Sequence, residues 1–215
     1  REEAPIIIHV NLSLFGDGLA RDTHYRNNFE LPHAHDDHFF PDGVDPFSEE
    51  SKGILAMTLM TREKAEEKFV GEIYNDSPAF ERIKYGVMNI ANNPRGIPAC
   101  DYYGSDYLVL KRVRLRTALS FGDSYTETFI QGTPDFCAHF FEKYSDAEFS
   151  EILQLARNDI LQNTSERISR LEKLNKYDLF AGRGVTYTEA QIHGEVRLRD
   201  HIAQIGVHES HRAEP

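Results

Sequence analysis

The sequence has few of the residues that mark several functional classes. Its 215 residues include only two cysteines, Cys100 and Cys137, without paired spacing. Neither a disulfide framework nor a cysteine zinc site is therefore predicted, and both thiols should be reduced. Basic residues are also scarce, since 24 Lys and Arg face 35 Asp and Glu for a formal charge of −11. That charge disfavours nucleic acid as a partner, so we expect a protein or a small molecule instead.

Long apolar runs are missing too. None approaches the roughly 18 residues of a transmembrane helix, and the start REEAPIIIHV lacks the basic head and apolar stretch of a secretory signal. We therefore expect no membrane association. The chain begins with Arg1 rather than Met, which suits a fragment whose targeting segment was removed. With 40% apolar and 27% charged residues, one domain spanning residues 1–215 is the default prediction.

Hydrophobic patterns predict strands towards both ends of the chain and helices between them. PIIIHVNLSL (5–14) reads as a strand that ends in a turn at FGDG, and RIKYGVMNI (82–90) alternates as a strand. YLVLKRVRLRTALSFGDSY (107–125) predicts two strands or one long bent strand. In the second half of this segment, every second residue, Leu115 and Leu119 included, should lie on the same face of the strand.

The predicted helices lie in three segments. TREKAEEKFVGEIYN (61–75) is amphipathic, with Ala65, Phe69 and Ile73 on one stripe. GTPDFCAHFFEKY (132–144) should be a helix with Thr133 as its N-cap and Pro134 at the first helical position, and residues 145–177 one long helix or two. The pattern as a whole favours an α+β domain with a mainly antiparallel β core and helices gathered between the strand regions. Residues 31–53 should be a long polar loop.

YTEAQIHGEV (187–196) carries a polar residue at every second position, which are Glu189, Gln191, His193 and Glu195. Because side chains alternate along a strand, these four should line one face. The alternative is an exposed edge strand with a polar outer face, but such a strand does not need four different hydrogen-bonding groups in a row. The segment is therefore our first candidate for a catalytic site.

SFGDSY (120–125) resembles the Gly-Asp-Ser segment of serine esterases, with Ser124 as the nucleophile. Such an enzyme needs a histidine base oriented by an acid, and no aspartate here is followed by histidine three positions on. A histidine after the serine could still act as the base, namely His193, His201, His208 or His211. The alternative is a turn that closes a strand.

Two further segments carry candidate residues. HAHDDH (33–38) supplies nitrogen and oxygen ligands for zinc or iron, but its spacing matches no metal signature, so we predict no metal site. In KYGVMN (84–89), Gly86 could let a ligand approach the backbone, with Tyr85 as a stacking surface and Asn89 as a polar contact. A β-bulge is the alternative role for Gly86.

Five segments together resemble one known family, because they occur in its order and at about its separations. They are IIIHVNL, HYRNNFE, FERIKYGVMN, YLVLKRVRLRTALSFGDSY and YTEAQIHGEVRL. The chain as a whole is similar to the CteC-like bacterial effectors, which are secreted and act in the host cytoplasm. The resemblance implies an ADP-ribosyltransferase-like fold and the transfer of ADP-ribose from NAD to a threonine of host ubiquitin, which blocks ubiquitination. In one departure, LPHAHDDHFF (31–40) stands where we expect a small turn containing glycine.

The resemblance also implies roles for individual residues. Glu189 is the candidate carboxylate that stabilises positive charge on the ribose. Gln191 and His193 could orient the acceptor hydroxyl or the ribose, and Ser120 could steady the carboxylate. The rest of the NAD site would come from two groups of residues. The strand segment with Tyr85, Gly86 and Asn89 would hold the nicotinamide, through its backbone groups. The cations that bind the pyrophosphate would be Arg26, Arg82 and Arg116. An NAD-dependent transferase, an esterase and a non-enzymatic ubiquitin-binding protein are the three hypotheses.

Overall fold

The fold is known from a computed structural model, which describes residues 4–30, 60, 62–90, 92–122, 124, 130–144, 146, 149–150, 153, 187–208 and 211. The loop predicted at 31–53 lies outside the described residues. Most of the helix predicted at 145–177 lies outside them as well, although Asp146, Phe149, Ser150 and Leu153 are helical.

The described residues contain nine strands, which form two sheets. In chain order they are β1 (Ile6–Val10), β2 (His24–Tyr25), β3 (Lys84–Met88), β4 (Asp106–Leu110), β5 (Thr117–Phe121), β6 (Ile130–Gly132), β7 (Thr188–Ile192), β8 (Val196–Arg197) and β9 (Ile202–Gly206). The main sheet has seven strands in the order β6-β5-β7-β3-β1-β4-β9, while β2 and β8 form a separate pair. Every neighbouring pair runs antiparallel. The mainly antiparallel core predicted from the sequence is confirmed.

Helices are few in the described part of the chain. They are α1 (Leu12–Arg21), α2 (residues 62–70), the short α3 (Leu198–His201) and the helical residues at 146, 149, 150 and 153. Several short 3₁₀ helices of one or two turns connect the strands, at Gly71–Tyr74, Ala79–Glu81, Pro98–Tyr103, Arg114–Arg116 and Ala138–Lys143. The domain is thus a mixed α and β structure built on one antiparallel sheet.

The two faces of the main sheet differ in character. One face carries the larger apolar core, in which Ile8, Leu119 and Ile192 pack with Val113 and Phe140. The other face carries a smaller apolar cluster around Ile7, Val87 and Cys100, beside the buried polar side chains of Ser120, Glu189 and Gln191. Strand β7 is buried along its whole length because it lies inside the sheet, between β5 and β3.

The turn predicted at FGDG is wrong, because these residues lie inside α1. Gly16 and Gly18 lower the local helix propensity, but tertiary contacts outweigh it. The carboxylate of Asp106 accepts a hydrogen bond from the Leu12 N–H at 3.1 Å and so caps the first turn. Leu12 and Leu19 also pack against the core. A distant carboxylate and apolar burial therefore stabilise a helix that its own residues do not favour.

The amphipathic helix at 61–75 is confirmed as far as residue 70. At Gly71, where φ is +72°, the chain turns into a 3₁₀ helix. The changed period buries Tyr74 and leaves Ile73 69% exposed, so the predicted stripe is wrong at Ile73. Glu66 is the buried residue of α2, and it pairs with Arg82 across a distance of 2.9 Å.

Two patterns near β5 and β6 also differ from prediction. The segment 107–125 contains two separate strands, and the 3₁₀ turn Arg114–Arg116 between them leaves Leu115 98% exposed. The alternation of side chains between the two faces of the sheet therefore begins only at Thr117. Thr133 does cap a turn, since its Oγ1 accepts a hydrogen bond from the Phe136 N–H at 3.2 Å. A short 3₁₀ helix, Ala138–Lys143, follows this turn instead of the predicted α-helix.

Candidate active site

Strand β7 places Glu189 and Gln191 on the same face of the sheet. Glu189 lies opposite Ser120 of β5 and Val87 of β3, and Gln191 lies opposite Tyr85. Residues directly opposite each other in an antiparallel sheet share a face. Three of the predicted site residues, Ser120, Glu189 and Gln191, are thus brought together, with Tyr85 beside them.

Hydrogen bonds hold the Glu189 carboxylate in place. Its Oε1 accepts one from the hydroxyl of Ser124 at 2.5 Å and a second from Nε2 of Gln191. The same Gln191 amide donates to Oγ of Ser120 at 3.0 Å, and Ser120 in turn donates to the carbonyl of Gly122 at 2.7 Å. Ser124 therefore contacts the carboxylate directly, whereas Ser120, the serine predicted for that role, acts through Gln191.

The site is buried but still has unused hydrogen-bonding capacity. Glu189 is 7% exposed, and Ser124 and Gln191 are less exposed than that. No donor among the described residues reaches Oε1 of Gln191. A buried acceptor without a partner is costly. This oxygen could accept a hydrogen bond from a hydroxyl or amide of a bound molecule.

His193 and Glu195 do not share this face, because β7 ends at Ile192 and the chain turns at Gly194, where φ is +75°. The guanidinium of Arg116 holds the turn, donating to the carbonyls of His193 and, at 2.8 Å, of Glu195. The Glu195 carboxylate points instead to Arg197, at 2.6 Å. The prediction that four alternate residues line one face is therefore wrong after Gln191.

The His193 ring pairs with Tyr74, whose hydroxyl lies 2.6 Å from Nδ1. Burial raises the pKa of Tyr74 to about 12, so the phenol stays protonated and can donate to His193. Burial and the nearby Arg116 both lower the pKa of His193, so the ring is neutral near pH 7. If Nδ1 accepts the Tyr74 proton, Nε2 carries the ring hydrogen, and His193 is then a hydrogen-bond donor rather than a base.

The three arginines predicted to bind a pyrophosphate are each engaged by the protein. Arg26 pairs with Asp22 at 2.5 Å. Arg82 pairs with Glu66, as described above, and its guanidinium lies 4.0 Å from the centroid of the Phe29 ring. Arg116 holds the turn after β7. The structure does not bring these cations together at Glu189; it brings Arg62 of α2 over the Tyr85 ring instead, 4.8 Å from its centroid.

Gly86 and Asn89 have roles within the fold. A Cβ atom at Gly86 would lie 2.5 Å from the carbonyl oxygen of Ile7 and close to the side chains of Ile8 and Ile192. Gly86 thus allows close packing on the core side of the sheet, and no bulge interrupts its pairing with Ala190. The buried Asn89 amide closes a loop, since it donates to the carbonyl of Asn93 at 2.9 Å and accepts from the Asn93 N–H at 2.7 Å.

The described residues contain no cluster of three or more His, Cys, Asp or Glu that could hold a metal ion. The histidines at 33–38 lie outside the described residues. Cys100 and Cys137 are both buried and form no disulfide bond with each other. No helix among the described residues is long and apolar enough to span a membrane. A cavity of about 350 Å³ lies beside α2, away from Glu189, and is lined by Met60, Glu63, Lys64, Glu67, Asn75 and Arg82.

Two residues of the site were missed or misassigned from the sequence. Ser124 stood out only as a possible nucleophile, although SFGDSY places it just after the strand that pairs with Glu189. No local signal indicated Arg62, because a charged residue on an amphipathic helix is ordinarily solvated.

Comparison with known proteins places the chain in a family but leaves its activity open. No curated protein matches the sequence. One family model, described as a protein of unknown function (DUF3626), matches residues 38–214, which is more than half of the chain and includes Glu189 and its neighbours on β3 and β5. The chain therefore belongs to the DUF3626 family of proteins of unknown function.

Proposed function

We propose that this chain is a mono-ADP-ribosyltransferase, which transfers ADP-ribose from NAD to a threonine hydroxyl of host ubiquitin and so blocks ubiquitination. The observation that carries the proposal is the Glu189 carboxylate, which Ser124 and Gln191 hold on the polar face of the sheet. The resemblance of five ordered segments to the CteC-like effectors supplies the choice of NAD and ubiquitin. It also supplies the proposal of an ADP-ribosyltransferase-like fold and of a secreted bacterial effector that acts in the host cytoplasm.

The chemistry needs a fixed negative charge. When the bond between nicotinamide and ribose breaks, the leaving nicotinamide takes the electron pair and the ribose develops positive charge. The threonine oxygen then bonds to the ribose carbon and releases its proton to solvent water. A carboxylate that is already oriented stabilises this charge without reorganising during the reaction. Two donors on Oε1 orient Glu189 in this way before the substrate binds.

The polar neighbours of Glu189 suit the recognition of a sugar. Oε1 of Gln191 is buried and lacks a donor within the described part of the chain. A ribose hydroxyl bound next to Glu189 could donate to it. His193 lies beyond the end of β7 and contacts Tyr74, so we assign it to the rim of the site, where it could donate a hydrogen bond to the acceptor protein.

The esterase alternative needs a histidine base beside Ser124. The Ser124 hydroxyl instead donates to Glu189. The four histidines considered for the role of base have other contacts, which are His193 with Tyr74, His201 with the Arg197 N–H, His211 with Asp106 and His208 with the His211 ring, 6.2 Å between centroids. These contacts favour the transferase over the esterase. A non-enzymatic ubiquitin-binding protein would need neither Glu189 nor Ser124.

One experiment separates the three hypotheses. The protein is incubated with NAD and ubiquitin, and the intact mass of ubiquitin is measured beside a Glu189→Gln control. The transferase adds the mass of one ADP-ribose in the wild type and far less in the control. Unchanged ubiquitin that nevertheless binds the protein would support the non-enzymatic alternative. Unchanged ubiquitin together with hydrolysis of a simple ester would support the esterase.

A further inference from the structure

The guanidinium of Arg62 is placed over an aromatic ring next to the candidate site. Its central carbon lies 4.8 Å from the centroid of the Tyr85 ring. Such stacking holds the planar group in one orientation and leaves its N–H edge available for hydrogen bonding. Tyr85 belongs to β3, a central strand of the sheet, so the guanidinium is set on a rigid support.

Arg62 differs from the other arginines near the site in its partners. Arg26, Arg82 and Arg116 donate to Asp22, to Glu66 and to backbone carbonyls respectively. Among the described residues, by contrast, no carboxylate or carbonyl accepts a hydrogen bond from Arg62. Its planar fork of N–H donors matches the oxygens of a phosphate or carboxylate. Of these four described arginines, Arg62 is thus the one whose N–H groups can still bind an anion.

The position of Arg62 relative to Glu189 follows from the strand register. Tyr85 lies directly opposite Gln191, and Glu189 is two residues further along the same face of β7. Diagonal neighbours of this kind lie about 7–8 Å apart in an antiparallel sheet. In NAD, only the sugar ring and one methylene group separate the reacting ribose carbon from the diphosphate. A sugar bound at Glu189 and a diphosphate bound at Arg62 would need sites at about this separation.

We infer that Arg62, held over Tyr85, forms an anion-binding site for the diphosphate of a dinucleotide. The identity of the dinucleotide as NAD rests on the proposed function, whereas the preference for a diphosphate rests on the guanidinium and its position. The Tyr85 ring then supports the cation, and on the face that Arg62 covers this role replaces the predicted role of a stacking surface for a ligand.

Binding measurements test the site independently of catalysis. Inorganic pyrophosphate, ADP and adenosine are titrated calorimetrically into the wild type, Arg62→Ala, Arg62→Lys and Lys64→Ala. Lys64 lies on the same helix, so its replacement removes one positive charge without touching Tyr85. We expect Arg62→Ala to weaken ADP and pyrophosphate about tenfold or more. Arg62→Lys should fall between that variant and the wild type, and Lys64→Ala should bind like the wild type.

The outcomes are distinct for the site and for the proposed function. The inference is overturned if the wild type binds neither pyrophosphate nor ADP, if Arg62→Ala binds them normally, or if Lys64→Ala loses as much affinity. Affinity for adenosine equal to that for ADP would also overturn it. If ADP binds through Arg62 but ubiquitin gains no ADP-ribose from NAD, the diphosphate site stands and the proposed function fails.

Discussion

The hydroxyl of Ser124 donates a 2.5 Å hydrogen bond to Glu189, across 65 residues of sequence. These two residues belong to rival hypotheses, since Ser124 is the nucleophile of an esterase and Glu189 the charged group of a transferase. In the folded chain they are partners. A serine that gives its hydrogen to a carboxylate orients that carboxylate, and replacing the serine therefore has different consequences under the two hypotheses.

Replacing Ser124 with alanine should slow the transfer of ADP-ribose about tenfold without abolishing it. A hydrogen bond to a charged group contributes about 1.5–3 kcal/mol, and Gln191 still holds the carboxylate in this variant. A serine-directed fluorophosphonate should label no residue stoichiometrically and should leave the wild-type rate unchanged. Stoichiometric labelling at Ser124, found by peptide mass mapping, would support the esterase instead.

Replacing Glu189 with glutamine should reduce turnover far more than NAD affinity. The amide keeps the shape of the side chain but lacks the charge that stabilises the transition state. The expected loss is about a hundredfold or more in kcat, on the order of 3 kcal/mol, with the Kd for NAD changed little. Glu195→Gln is the matched control and should be milder, because Glu195 faces Arg197 beyond the end of β7. A folded Glu195→Gln protein without activity would show that Glu189 is the wrong carboxylate.

The histidines at 33–38 provide a test for a metal. Because their spacing matches no metal signature, we expect chelator treatment, His33→Ala and His35→Ala each to change NAD cleavage by less than about twofold. The rate is measured before and after dialysis against a chelator. Activity that is lost on chelation and restored by zinc would show that this segment holds a functional metal.

Lys84 predicts a dependence of stability on alkaline pH. Its side chain is fully buried, with Nζ donating to the carbonyls of Phe80 and Arg82, and burial lowers its pKa to about 8. Between that pKa and the ordinary value of 10.5, the unfolded chain holds more protons than the folded chain. The free energy of unfolding should therefore rise from about pH 8 to about pH 10, by at most about 1.4 kcal/mol per pH unit.

Urea denaturation at about pH 8, 9 and 10 measures this slope, with Lys84→Met as the control that removes the titrating group. The measurement ends near pH 10, because the raised pKa of Tyr74 acts in the opposite direction above that value. An equal slope in the wild type and in Lys84→Met would show that another group is responsible.

Replacing Gly86 with alanine should destabilise the fold. The new Cβ would lie 2.5 Å from the carbonyl oxygen of Ile7, which a backbone shift of β1 or β3 would have to relieve. We expect a loss of about 1–3 kcal/mol in the free energy of unfolding. Gly18→Ala in α1 is the matched control, since nothing lies within 4 Å of the position that its methyl group would take. That variant should leave stability unchanged or raise it by up to about 1 kcal/mol. Equal stability of Gly86→Ala and the wild type would mean that Gly86 is not needed for packing.

Patterns with a short period were the most informative part of the sequence. Strict alternation placed Glu189 and Gln191 on one face of a strand, apolar alternation located β3 and β5, and a run of β-branched residues located β1. The same rule failed at His193 and at Leu115, because the strand ends before one and begins after the other. Alternation describes a strand but does not mark its ends, which here depend on Gly194 and on the turn at Arg114–Arg116.

The sequence by itself determined the antiparallel core and the pair of polar side chains on β7, because alternation along a strand is a local property of the backbone. Only the tertiary structure decided which side chains surround that pair. The register of β7 between β5 and β3 set Ser120 and Tyr85 beside it, and chain segments far away in sequence delivered Ser124 and Arg62. Such contacts depend on how separate elements pack against one another, and the sequence pattern within a single helix or strand does not predict them.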